Sequence, residues 1–235
     1  MRWGGRLCLL VLAAGAAAIA FEWATWPDVG ALAKTYPKTT AFIEEYKAQQ
    51  RREGKSDAVS FAPVPYARLS PHLKRAALVS EDIGFFSHHG FAVDEIKETV
   101  KEAWKEKELP TRGASTITQQ LAKNLWLSPS RNPLRKLKEA ALTRELERKL
   151  PKKRILELYL DVAEFGPGVY GAEAAARRYF GKSAAALDEH EAALLIAGLP
   201  RPKSWHPGST SPVYLRRVEI IEARMAIASW IWQVI

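Results

Sequence analysis

Two acids and one run of hydrogen-bonding side chains are the residues of this chain best placed to do chemistry. Glu81 opens Glu-Asp-Ile-Gly-Phe-Phe-Ser-His-His-Gly (residues 81–90), where an acid pair, Glu81 and Asp82, meets two phenylalanines and two histidines. An acid partly desolvated by aromatic surface is suited to taking a proton; the ordinary alternative is an exposed acid at a helix end. Between residues 113 and 124, Gly113, Ser115, Thr116, Thr118, Gln119, Gln120, Lys123 and Asn124 crowd together hydroxyl, amide and ammonium groups. That is more hydrogen-bonding capacity than an amphipathic helix needs. It fits a cradle for a polar ligand, a buried polar network, or a capped helix start with a solvated face. A second acid, Glu139, follows Arg135 by four positions and Lys136 by three, so the three share one helical face. They form either a surface ion-pair cluster or a carboxylate flanked by two cations that can also bind phosphate oxygens. His88 and His89 suit packing or hydrogen bonding, because adjacent histidines rarely converge on one ion and no partner at ligand spacing accompanies them.

These groups must be positioned by helices, since alternating period-two runs are nearly absent. Pro71 begins a helical pattern through Leu73, Ala76, Ala77 and Val79 that ends near Glu81, and Gly84 to Gly90 break it. Further helices are expected over 39–52 and 94–106. Breakers stand at 110–113 and 128–133, before a helix carrying Leu134, Leu137, Ala141, Leu142 and Leu146 that stops or kinks at Pro151. Ile155, Leu158 and Val162 continue at helical spacing. Asp188 with Glu191 resembles a capping box opening an apolar helix over 192–199. Ser211-Pro212 opens the last helix, through Val218, Ile221, Met225 and Trp232. The fold class is mainly α, with residues 1–26 an N-terminal segment and anchor, 27–65 a linker with a short helix, and 66–235 the catalytic domain.

At 235 residues and 47% hydrophobic content the chain supports one sizeable core. A net charge of +9 implies an anionic partner: nucleic acid, an acidic membrane surface or a phosphorylated substrate. The single cysteine, Cys8, excludes an internal disulfide framework. From Leu7 to Phe21 every residue is apolar or Gly, preceded by Arg2 and Arg6 and flanked by Trp3, Trp23 and Trp26. The preferred reading is a single transmembrane helix with its N-terminus in the cytoplasm. A cleaved signal peptide is the rival, because Ala13 to Ala20 offers small-x-small sites. A nucleic-acid role is disfavoured, since the basic residues are spread among acids.

The three motifs together resemble the monofunctional biosynthetic peptidoglycan glycosyltransferases, relatives of the glycosyltransferase domain of class A penicillin-binding proteins. The first falls on Glu81, Asp82, Phe85, His88 and Gly90. The second falls on Gly113, Ser115 to Gln120, Lys123 and Asn124, and the third on Arg135, Lys136 and Glu139. Stretches 153–160, 165–171 and 179–182 are also similar, so the resemblance covers about residues 65–225. It implies a lysozyme-like α lobe with a smaller membrane-proximal lobe, and polymerisation of lipid II into glycan strands at the inner membrane, with the catalytic domain in the periplasm. By resemblance, Glu81 is the general base and Glu139 positions the leaving diphosphate. Lys123, Arg135 and Lys136 clamp that diphosphate, and Asp82, Phe85, His88, Gly113, Ser115, Thr116, Thr118, Gln119, Gln120 and Asn124 complete the substrate site. No cofactor is required by the sequence, and a divalent cation such as Mg2+ near Glu139 is admitted by the resemblance. Expected partners are lipid II, the growing strand, the membrane, and transpeptidases or other cell-wall and division proteins, with crosslinking left to such a partner. A glycan hydrolase or lytic transglycosylase is the nearest rival, followed by a non-catalytic glycan-binding scaffold. Two positions depart from the family pattern, Ala92 where Asp is frequent and Asp161 where Asn is expected, and both bear on fine substrate contacts.

Overall fold

The structure, a computed structural model, describes residues 12, 13, 15–17, 20–22, 24–92, 115–128 and 133–235. The helix expected over 94–106, the breaker at 110–113 with Gly113, residues 129–132 of the second breaker, and much of the apolar N-terminal segment lie outside them. Among the described residues no helix is long and apolar enough to cross a membrane.

The described chain is mainly helical, as its 3.6-residue periodicity requires. Helix α1 is Ala41–Arg52, α2 Pro71–Glu81, α3 Ile117–Trp126, α4 Pro133–Lys149, α5 Lys152–Val162, α6 Ala172–Phe180, α7 Glu189–Gly198 and α8 Pro212–Ile227. Thr40 caps α1, Ser70 caps α2 with Pro71 in its first turn, and the Asp188–Glu191 capping box opens α7. Each such cap contributes about 1 kcal/mol. Helix α5 forms the centre, with every residue from Ile155 to Val162 buried. Helix α3 packs on α4 and α5, while α2, α7 and α8 pack on one another.

Three differences from the sequence reading have physical causes. Leu134 and Leu137 are exposed, and only Leu142 and Leu146 of that periodic set reach the core. The last helix stops at Ile227, so Trp232 sits in a separate 3-10 turn, Ser229–Gln233. A small sheet joins β1 (Ser60–Phe61), β2 (Glu164–Gly166) and β3 (Val169–Tyr170) in the order β1-β3-β2, with β1 parallel to β3 and β2 antiparallel to it. Through β1, and through buried Val29, Leu32, Ile43 and Val64, the segment expected as a linker is packed against the domain. Arg154 fastens it further by donating to the carbonyls of Leu32 (2.8 Å) and Thr35 (2.7 Å).

Asp161 is interior rather than substrate-facing. It is fully buried, its Oδ1 accepts from the Val64 N–H at 3.1 Å, and its Oδ2 has no partner among the described residues. Burial pushes its carboxyl up from 3.8 to about 8, opposed by the Val64 N–H and Arg154 and assisted by Glu157 and Glu173. Between about pH 4 and 8 the folded protein therefore holds this proton more tightly than the unfolded chain, and stability falls as pH rises through that window. Asp161→Asn keeps the acceptor for Val64 and removes the ionisation. It is expected to stabilise by about 1–3 kcal/mol at pH 7.5, with the advantage vanishing towards pH 4. Urea denaturation at both pH values checks this, and a pH-independent difference refutes it.

Candidate active site

The first two motifs are tied into one hydrogen-bonded knot. Asp82, which follows α2, is buried; its Oδ2 accepts from the Ile117 N–H at the start of α3 (3.0 Å), and its Oδ1 meets His88 Nε2 at 2.8 Å. His88 Nδ1 accepts from the Gly90 N–H at 3.1 Å, which leaves the ring proton on Nε2, directed at Asp82. The Gly90 carbonyl in turn accepts from Thr116 Oγ1 at 2.7 Å. Thr116 and Gln119 form a reciprocal capping box on α3, with bonds of 3.2 and 3.0 Å. Gly90 has φ +86°, and a Cβ there would lie 2.8 Å from Thr143 Cγ2, so glycine is required on both counts.

Several residues expected to bind substrate are engaged inside this knot. Thr118 Oγ1 is buried and donates to Glu147 Oε1 at 2.5 Å, an oxygen shared with Lys152 at 2.8 Å. Phe85 is fully buried, edge-on to Phe86 with ring centres 5.1 Å apart, and Lys152 Nζ stands 4.4 Å from its ring centre. Asp82, Phe85, His88, Thr116, Thr118 and Gln119 therefore build and orient the wall, and the Asp82 carboxylate, the His88 ring, the Thr116 and Thr118 hydroxyls and Gln119 Oε1 already have partners within the protein. The second motif is a capped helix start and a cleft wall at once: its N-cap and first turn supply the cap, and Gln120, Lys123 and Asn124 face the cleft.

Glu81, at the last turn of α2, meets polar groups where aromatic surface was expected. Its Oε1 accepts from Arg217 Nη2 of α8 at 2.9 Å and from Ser80 Oγ at 2.8 Å, and its Oε2 accepts from Gln120 Nε2 at 3.2 Å. Of the two phenylalanines expected beside it, Phe85 is turned into the core and Phe86 is partly buried against it. Gln120 is oriented by Tyr159, whose Oη donates to Gln120 Oε1 at 3.2 Å, and its Nε2 also reaches the Ser115 carbonyl at 3.4 Å. Burial, with Glu81 adding, pushes the Tyr159 phenol well above its ordinary range, so it stays protonated and here donates. Arg217 escaped the sequence reading. The signal for it is a cation on the buried stripe of α8, alongside Tyr214, Val218, Ile221 and Met225.

The cleft has a volume of about 370 Å³ and is lined by Gln120, Lys123 and Asn124 of α3, by Tyr159 and Glu164, and by residues 199–204. Glu81 does not itself line the cleft but joins its wall through Gln120. Burial lowers the pKa of Lys123, opposed chiefly by Glu139; Arg135 and Lys136 lower it further and Glu81 raises it. Lys123 thus lies within electrostatic reach of both candidate acids and of both cations of the third motif. No hydrogen bond or ion pair engages its ammonium among the described residues, and the Phe42 ring centre is 5.7 Å away. Glu139 is buried and accepts from Arg135 Nη1 at 3.0 Å and from Lys136 Nζ, one cation on each carboxylate oxygen. That pairing does not fit a divalent ion, because both oxygens already face positive charge. A desolvated ammonium beside an Arg–Lys pair fits an anion with several oxygens, such as a diphosphate.

Residues 46–226 match the protein family described as Transglycosylase. The chain is 43% identical over 192 residues to the biosynthetic peptidoglycan transglycosylase of Methylobacillus flagellatus, covering 82% of this chain and 83% of that protein. It is 42% identical over 230 residues to the protein of the same name from Azoarcus sp., covering 97% and 96%. A third, from Thiobacillus denitrificans, is 44% identical over 189 residues, covering 80% and 81%.

Proposed function

Since the chain belongs to the transglycosylase family, we propose that it is a peptidoglycan glycosyltransferase of cell-wall synthesis that polymerises lipid II. The observation that carries this reading is the pairing of an acid, Glu81, with a partly desolvated ammonium, Lys123, that has no counter-ion bonded to it among the described residues, the two linked through Gln120. Proton transfer is then supplied from the end of α2 and leaving-group stabilisation from α3, the two helices being joined by the Gln120–Glu81 bond.

In this reading Glu81 takes the proton from the 4-hydroxyl of the acceptor sugar. The freed oxygen attacks the anomeric carbon of the donor strand from the face opposite the diphosphate, so the configuration inverts. The anomeric C–O bond breaks and undecaprenyl diphosphate departs with the electron pair. Lys123, Arg135 and Lys136 receive the developing negative charge, while Glu139 holds the two cations of the third motif in place. Arg217 and Gln120 keep the Glu81 carboxylate aimed, and no step needs a metal ion.

A substrate on a polyprenyl carrier places the enzyme at a membrane, and the apolar N-terminal segment with its tryptophans supports a single-pass inner-membrane anchor with a periplasmic catalytic domain. The exposed Leu134 and Leu137, beside Arg135 and Lys136, support a membrane-proximal lobe there. Transpeptidases and other cell-wall proteins are the partners that would crosslink the product.

Incubating the purified full chain separately with labelled lipid II and with polymerised glycan tests the reading. Strand formation from the first and no cleavage of the second is expected; cleavage alone would make the enzyme a hydrolase. Lys123→Ala is expected to lower kcat/KM for lipid II by about 10²-fold, the loss typical of one charge-stabilising donor. Unchanged kinetics would remove Lys123 from the clamp.

A further inference from the structure

Glu164 begins β2 and lines the cleft, five positions beyond Tyr159. Its Oε1 is buried and has no hydrogen-bond partner among the described residues. Burial pushes its carboxyl up to about 7, with Lys203 pulling it down. The donors around it are turned elsewhere. Lys203 Nζ donates to Gln49 Oε1 of α1 at 3.2 Å, Tyr179 Oη to the Phe165 carbonyl at 3.2 Å, and Tyr170 Oη towards the Phe42 carbonyl at 3.5 Å. A buried acceptor left open is unfavourable to the fold and calls for an explanation. In the wall of a cleft, that explanation is a donor arriving with the ligand.

Building on the glycan reading above, we propose that Glu164 is a specificity-determining residue whose Oε1 accepts a hydrogen bond from a hydroxyl or amide N–H of an N-acetylated amino sugar seated in the cleft. A carboxylate repels phosphate oxygens, so Glu164 also sets direction. The saccharide lies against Glu164, and the diphosphate stays with Lys123, Arg135 and Lys136. The open acceptor is thus a binding group whose partner is the substrate itself.

The test uses the full chain in detergent with Glu164→Gln, which keeps an acceptor oxygen, and Glu164→Met, which fills the same space without one. Three quantities are measured: the melting temperature, binding of a soluble N-acetylated disaccharide-peptide fragment by titration calorimetry, and steady-state kinetics with lipid II. Both variants are expected to melt at or above the wild-type temperature, because neither loses an internal bond. Glu164→Met should weaken fragment binding and raise KM about tenfold with kcat within about twofold, while Glu164→Gln stays within about threefold of wild type. The inference is overturned by wild-type binding and KM in the Met variant, by equal impairment in the Gln variant, by a lowered melting temperature in either, or by a wild type that binds no fragment. Fragment binding needs no turnover, so a wild type that binds the fragment without polymerising lipid II would count against the proposed function and leave Glu164 to be judged on binding.

Discussion

Glu81→Gln is expected to give a folded protein that binds lipid II and fails to polymerise it. The fold survives because the network around residue 81 can re-pair. The new amide oxygen takes the Arg217 bond, and its NH2 faces Gln120, whose own amide can flip. Tyr159 Oη then rotates to accept where it had donated. Nothing in that rearrangement restores a group able to take a proton from a sugar hydroxyl. Loss of the base lowers kcat by about 10²–10⁴-fold, while the melting temperature and lipid II binding stay near wild type. A purified lipid II assay beside a thermal melt checks both halves, and near-normal turnover would remove Glu81 from the role of base.

The second large effect is structural. Asp82→Ala strips the acceptor from the Ile117 N–H and from His88 Nε2 at once, leaving two buried donors unpaired. Each donor left unsatisfied in this way costs about 1–3 kcal/mol, and urea denaturation should show the midpoint falling accordingly. Activity should fall as well, because Ile117 begins the helix that carries Gln120 and Lys123. Asp82→Asn should recover only part of the loss. It can still accept from Ile117, but its NH2 would force His88 to accept at Nε2 and carry its proton on Nδ1, opposite the Gly90 N–H. An unchanged midpoint in Asp82→Ala would show that the knot contributes nothing to stability.

What could be read from the sequence was what neighbours in sequence decide. Ser70-Pro71 and Asp188 with Glu191 cap their own helices, so α2 and α7 were legible from a few residues each. The sheet was not, because its strands are two or three residues long and Ser60 pairs with Val169, more than a hundred positions away. No period-two pattern can form in two residues. The same distance hid the partners of Glu81. Ser80 and the phenylalanines adjoin it in the chain, whereas Arg217 reaches it from the far end of the molecule. The third motif was legible because its ion pairs are three and four residues apart on one helix. Leu134 and Leu137 misled for a complementary reason: periodicity marks an apolar face but does not say whether protein covers it.

The Thr116-to-Gly90 bond has a consequence for the two ends of the chain between those residues. The backbone leaves the knot just after Gly90 and returns just before Thr116, so both ends of the intervening stretch are pinned at one point. The pins are side-chain and backbone bonds among Asp82, His88, Gly90, Thr116 and Ile117 themselves. The acid proposed as the base therefore stands beside a point where two distant parts of the chain are fastened to each other, and its surroundings are coupled to the start of α3.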